Sequence, residues 1–117
     1  MLDEKQEGLL RDILDSARAI VTYLNGLTKE HFLANAEKQD AVLRRFEIIG
    51  EAASRLSTAT QELFPNLPFR SMRGMRNIII HDYADVNLDL VWLTADSDLT
   101  PLIATLDRHF ASHEDVG

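Results

Sequence analysis

The chain contains no cysteine. Disulfides and thiolate metal ligands are therefore excluded, and the composition suits a reducing compartment such as the cytoplasm. Glycine and proline are sparse, at five and three in 117 residues. The sequence holds no Gly-x-Gly-x-x-Gly, P-loop or Gly-x-Ser-x-Gly pattern, so the usual phosphate-cradling loops and the nucleophile elbow are absent. Apolar runs such as Ile78-Ile79-Ile80 are far too short to span a bilayer, which takes roughly 20 residues. The start, Met1 to Lys5, is charged and lacks the apolar stretch of a signal peptide. Positive charge is scarce as well. The formal net charge is -7, which argues against non-specific nucleic-acid binding.

What basic charge there is lies unevenly. Residues 1–40 carry five basic and eight acidic side chains, and residues 84–117 carry Arg108 against seven acidic ones. Residues 69–83 carry Arg70, Arg73 and Arg76 against Asp82 alone. Arg70 and Arg73 fit a solvated helix face as readily as a binding role.

Helical periodicity dominates, and the length fits one domain over residues 1–117. Leu2, Leu9, Leu10, Ile13, Ala17, Ile20, Val21 and Leu24 recur at three- and four-residue steps. Asn25-Gly26 stops that helix. Thr28 caps a short helix from Lys29 to about Asn35. A second long pattern runs from about Glu37 to Thr60 through Val42, Phe46, Ile49, Ala53 and Leu56. Residues 61–68 read as a loop. Pro68 opens a helix to about His81, with Phe69, Met72, Ile79 and Ile80 as core. A turn over Asp85 to Asn87 precedes a last long pattern from Leu88 to Phe110. Pro101 lies inside it and predicts a break around Ser97 to Thr100. Residues 112–117 read as frayed. No segment alternates strictly, so the expected fold is all-α: an antiparallel up-and-down bundle of four main helices plus a short one.

The most informative stretch is Met75-Arg76-Asn77-Ile78-Ile79-Ile80-His81-Asp82-Tyr83. An arginine offers a forked cation suited to phosphate. A histidine exchanges a proton near neutral pH, and a tyrosine adds a hydroxyl. On an ideal helix Arg76 and Tyr83 share a face, whereas His81 points away from Arg76. The three converge only if the helix ends and the chain turns, or if a second copy completes the site. Metal-free RNA cleavage needs a base for the 2′-hydroxyl, an acid for the leaving oxygen and a cation for the phosphorane. Two histidines from a twofold dimer satisfy the first two. Singly, each residue has a plainer role: a C-cap for His81, an ion pair with Glu51 for Arg76, a buried ring for Tyr83.

Gly50-Glu51 stands mid-helix, where glycine costs about 1 kcal/mol relative to alanine. Close approach of another helix at Gly50 would compensate. Glu51, among apolar and small neighbours, is expected to be partly buried and paired with an arginine, either as a structural ion pair or as a group that orients Arg76. His109 and His113 have i, i+4 spacing but lack the glutamate of a His-Glu-x-x-His site, so they read as solvated. No metal site or cofactor is indicated.

Several pieces together resemble one family. They are Arg11-Asp12-Ile13-Leu14-Asp15, then Gln39-Asp40-Ala41-Val42-Leu43-Arg44-Arg45-Phe46-Glu47-Ile48-Ile49-Gly50-Glu51-Ala52, then Gly74 to Tyr83, then Val91-Trp92. In this order, over nearly the whole chain, they are similar to HepT-like proteins of the HEPN superfamily. The resemblance implies a helical homodimer whose cleft bears Arg-x4-6-His from both chains. It also implies a metal-independent ribonuclease acting as the toxin of a type VII-like toxin–antitoxin pair. The partner it implies is a minimal nucleotidyltransferase that uses ATP to attach AMP to the motif tyrosine. Carried over, Arg76 and His81 are the catalytic pair, Tyr83 is the O-AMP-tyrosine site, and Asn77 and Glu51 support Arg76. RNA is the implied substrate, with no membrane partner. A second reading is a non-catalytic helical subunit that binds nucleotide or positions substrate for a nucleotidyltransferase.

Overall fold

The computed structural model describes the backbone of residues 2–114 and the side chains of residues 2–112. The described residues form helices and turns, without a strand. In chain order the helices are α1 (Glu4–Leu24), α2 (Lys29–Leu33), α3 (Ala36–Arg55), α4 (Thr58–Glu62) and α5 (Phe69–His81). A 3-10 turn, Tyr83–Asp85, leads into α6 (Leu88–Ser97) and α7 (Leu99–Glu114). The main bundle is α1, α3, α5 and the α6–α7 pair, as the periodicity predicts.

Short polar side chains set the helix starts. Asp3, Thr28, Asn35, Ser57 and Asn87 each accept a hydrogen bond from a backbone N–H three residues on, at 2.8–3.2 Å. Each satisfies a donor that the first turn leaves unpaired. Gly26 ends α1 with φ +81°, a conformation glycine adopts without strain.

Spacing within each helix then decides burial. Leu10, Ile13, Leu14, Ala17 and Ile20 of α1 are fully buried against Val42, Phe46, Ile49 and Ala53 of α3 and Leu106 of α7. Phe32 of α2 stacks on Trp92 of α6, ring centroids 5.7 Å apart. At the other end His109 bonds Glu7 at 2.8 Å and meets Phe64 and Phe110 edge-on. The solvated reading of His109 is therefore wrong: it ties α7 to α1. The side chain of His113 lies outside the described residues.

Four expectations are corrected. The second long helix stops at Arg55, not Thr60, because Ser57 caps the separate helix α4. Val21 and Ile80 are exposed rather than core. Both sit at the margin of an apolar stripe, where periodicity decides least. Helix α7 continues to Glu114, past the expected fraying from residue 112, and residues 115–117 lie outside the description. The expected break near Pro101 is present: α6 ends at Ser97, Asp98 caps it, and Pro101 falls in the first turn of α7, where no N–H is needed.

Helices α3 and α5 meet at Gly50. A Cβ at this position would lie 2.2 Å from Arg76 Cβ and 2.6 Å from the Met72 carbonyl oxygen. No real side chain tolerates those distances, and a helix backbone cannot yield cheaply. Gly50→Ala is expected to cost about 1–3 kcal/mol by forcing the helices apart, and to lower Tm in a thermal melt. Gly8→Ala, with open space around it, should instead gain up to about 1 kcal/mol from helix propensity. Equal melting curves for Gly50→Ala and the parent would contradict the close crossing.

Candidate functional site

The Gly50 crossing sets the direction of Arg76. Met72 stands on the buried face of α5, and Arg76, four residues on, lies about 40° round from it. Its guanidinium therefore reaches along α3. Nη2 donates to Glu51 Oε2 at 2.7 Å, and Nη1 donates to Asn77 Oδ1 at 2.7 Å. Nε is buried and finds no acceptor among the described residues. Of the five N–H donors of an arginine, one on each terminal nitrogen is left for an anion. The Arg76 side chain is 25% exposed and that of Glu51 54%, so Glu51 is not the partly buried group the sequence suggests. A pair this open contributes about 1 kcal/mol or less to stability. Its larger effect is to fix where the guanidinium points.

His81 is the last residue of α5 and is exposed. Nine residues after Met72, it lies about 180° round, opposite the face that packs on α3. It makes no hydrogen bond or ion pair with the described residues, but it is the basic residue in the last turn of α5, where the helix dipole favours a cation. Helix α5 runs unbroken through both Arg76 and His81. One chain therefore holds them on different sides, as the spacing requires.

Tyr83 takes a third direction. The Asp82 N–H donates to the Ile78 carbonyl at 2.8 Å, and the Asp85 N–H to the Asp82 carbonyl at 2.9 Å. These bonds close α5 and open the 3-10 turn. The turn swings Tyr83 back to α3, where its Oη donates to Asp40 Oδ1 at 2.5 Å. The ring is 50% exposed. The hydrogen bond to Asp40 raises the phenol pKa above its usual value, and desolvation and the charges of Asp40 and Glu47 add to it.

Asp40 is the residue of this site that sequence reasoning misses. It lies 43 positions from Tyr83, and no periodic or motif signal links the two. Of the other arginines, Arg70 is exposed, and Arg73 reaches Gln61 Oε1 at 3.5 Å. Beside the site, an apolar groove of about 410 Å³ runs between α3, α5 and the α6–α7 pair, with Phe46, Met75, Ile78 and Leu90 among its walls. Ile78, three residues before His81 on the same side of α5, is 46% exposed.

The raised pKa has a direction in pH. The folded phenol titrates above the unfolded one, near 10. The Tyr83–Asp40 bond therefore stabilises fully below that pH, and its contribution disappears as pH rises through the folded pKa. In an ultraviolet titration, Asp40→Ala should bring the Tyr83 phenol back down toward the usual range. An unchanged titration curve would contradict the bond.

With this geometry in hand, the similarities of the chain become informative. The family model described as ribonuclease HepT-like matches residues 13–109. A relative from Thermococcus cleftensis, named a probable ribonuclease HepT, is 34% identical over 99 residues, covering 85% of this chain and 90% of its own. A protein of Methanocaldococcus jannaschii, named as a candidate RNase, is 36% identical over 93 residues, covering 80% of this chain and 85% of its own. A third, of Caldanaerobacter subterraneus subsp. tengcongensis and similarly named, is 30% identical over 93 residues, covering 80% and 83%. No solved structure matches the chain. The helical bundle and these similarities agree, and the chain belongs to the HepT-like ribonuclease family.

Proposed function

We propose that this chain is the ribonuclease toxin of a toxin–antitoxin pair, and that it cleaves RNA without a metal at a site shared by two copies. Family membership supports the ribonuclease. The observation that carries the site assignment is an exposed His81, without a hydrogen bond or ion pair among the described residues, on the helix that holds Arg76 against Glu51. Arg76, with two N–H groups to spare, neutralises the scissile phosphate. One His81 takes the proton of the attacking 2′-hydroxyl, and the His81 of a second copy protonates the departing 5′ oxygen. Guanidinium charge then meets the extra negative charge of the phosphorane as it forms.

The same geometry supports a dimer. A single chain presents one histidine, pointed away from its own arginine. The apolar groove between α3, α5 and the α6–α7 pair, with Ile78 and Leu90 exposed among its walls, supports pairing through this region. The acidic surface, with net charge -7, fits a protein partner better than a long nucleic-acid track. The partner of this reading is a minimal nucleotidyltransferase, which silences the site by transferring AMP to Tyr83.

His81→Ala should keep its stability to within about 0.5 kcal/mol, as for other exposed positions, and lose RNA cleavage by at least ~100-fold. Arg76→Ala should lose about 100- to 1,000-fold. Both are measured on purified chain with EDTA present. Undiminished cleavage by His81→Ala would overturn the assignment. A wild-type chain that does not cleave RNA would favour the non-catalytic partner subunit.

A further inference from the structure

The bond from Tyr83 to Asp40 is the shortest polar contact at the site, at 2.5 Å, and RNA cleavage makes no use of it. Asp40 is exposed and lies in the N-terminal half of α3. The turn after α5 is closed by its own backbone bonds, so the contact is not needed to end the helix. It does one specific thing: it sets a carboxylate oxygen against the phenolic proton of a half-exposed tyrosine. His81, two residues earlier, makes no bond to that hydroxyl.

We infer that Asp40 is the proton acceptor that makes Tyr83 a nucleophile toward phosphorus. The inference rests on the reading of Tyr83 as the site of nucleotide transfer. In the step, Tyr83 Oη forms a bond to the α-phosphorus of a nucleoside triphosphate. The bond from that phosphorus to the bridging oxygen of the β-phosphate breaks, and pyrophosphate leaves with the electron pair. The phenolic proton passes to Asp40 Oδ1.

The chemistry requires such a group. A phenol with pKa near 10 is almost wholly protonated at neutral pH, and the hydrogen bond to Asp40 pushes its ionisation further away. The neutral hydroxyl is a weak nucleophile until a base takes its proton. A carboxylate is too weak a base to remove that proton from the resting phenol. As the oxygen–phosphorus bond forms, the oxygen becomes far more acidic. The proton then moves along a hydrogen bond that already exists, with no rearrangement. Half exposure of the ring leaves the hydroxyl open to an incoming phosphate. The charged groups acting on the phenol are Asp40 and Glu47, both on α3, and Glu47 is engaged by Arg44 at 3.2 Å. Among the described residues, Asp40 alone hydrogen-bonds the hydroxyl.

The test uses the full chain, ATP and a cognate minimal nucleotidyltransferase, with mass spectrometry locating the added AMP over time. Asp40→Asn keeps an oxygen that can accept the hydrogen bond but cannot take the proton. Relative to wild type it should be modified at least ~100-fold more slowly at pH 7. That deficit should shrink as pH rises and the phenol ionises unaided. Asp40→Glu should recover part of the rate. Helix content and RNA cleavage by unmodified Asp40→Asn should match wild type. Equal modification of Asp40→Asn and wild type at pH 7 overturns the inference and leaves Tyr83 as the acceptor. A deficit that stays constant with pH makes Asp40 structural and also overturns it. Failure of wild type to gain AMP, or equal gain by Tyr83→Phe, overturns the Tyr83 reading itself and the inference with it.

Discussion

Where α3 and α5 cross, the missing side chain of Gly50 lets the Cβ of Arg76 and the backbone of Met72 occupy the space a methyl group would fill. The arrangement of the site follows from this contact. It presses one face of α5 onto α3, and so decides which residues of Met75 to Tyr83 face the bundle and which face outward. It brings Arg76 beside Glu51, the residue after the glycine. Because the helices run in opposite directions, later residues of α5 lie beside earlier residues of α3. The turn after His81 accordingly delivers Tyr83 to Asp40. A glycine in a helix interior costs about 1 kcal/mol of propensity. Here that cost is offset by a contact that positions two polar pairs.

Three chemically capable residues in a row of eight thus point three ways. Arg76 is held by Glu51 and Asn77 at 2.7 Å each, Tyr83 by Asp40 at 2.5 Å, and His81 by nothing described. The bonds to Arg76 and Tyr83 fix orientation more than they stabilise, since both are open to water. His81 is left exposed to solvent, as the proposed site completed by a second copy would require. On the proposed reading, chemistry and regulation are separated within the same eight residues: the arginine and histidine would serve cleavage, and the tyrosine, turned back onto α3, has its own carboxylate.

Much of this was legible before the structure. The mid-helix Gly50 signalled a close approach, and the adjacent Glu51 an arginine partner. Residue spacing placed Arg76 and His81 on different sides of one helix, and Pro101 marked the break between α6 and α7. These signals are local: they depend on propensity and on angles along a single helix. The parts that stayed hidden are contacts between distant residues. Asp40 meets Tyr83 across 43 positions, and His109 meets Glu7 across 102. Neither pair has a pattern that composition or periodicity detects. Ser57 was overlooked because an apolar stripe continues past it, although its side chain caps a new helix. Of Ile79 and Ile80, both expected in the core, only Ile79 is buried; Ile80 lies about 80° round α5 from Met72, off the face that packs on α3.

The central claim is that the cleavage site needs Arg76 and His81 from two copies. It is tested most directly with a mixed dimer that pairs a wild-type chain with a chain carrying both Arg76→Ala and His81→Ala, isolated through two different tags. If the site is shared, the mixed dimer should lose RNA cleavage by ~100-fold or more, although half of its chains are intact. If it instead keeps half the activity of the wild-type dimer, or if the active species is a monomer, each chain carries its own site and the account is contradicted.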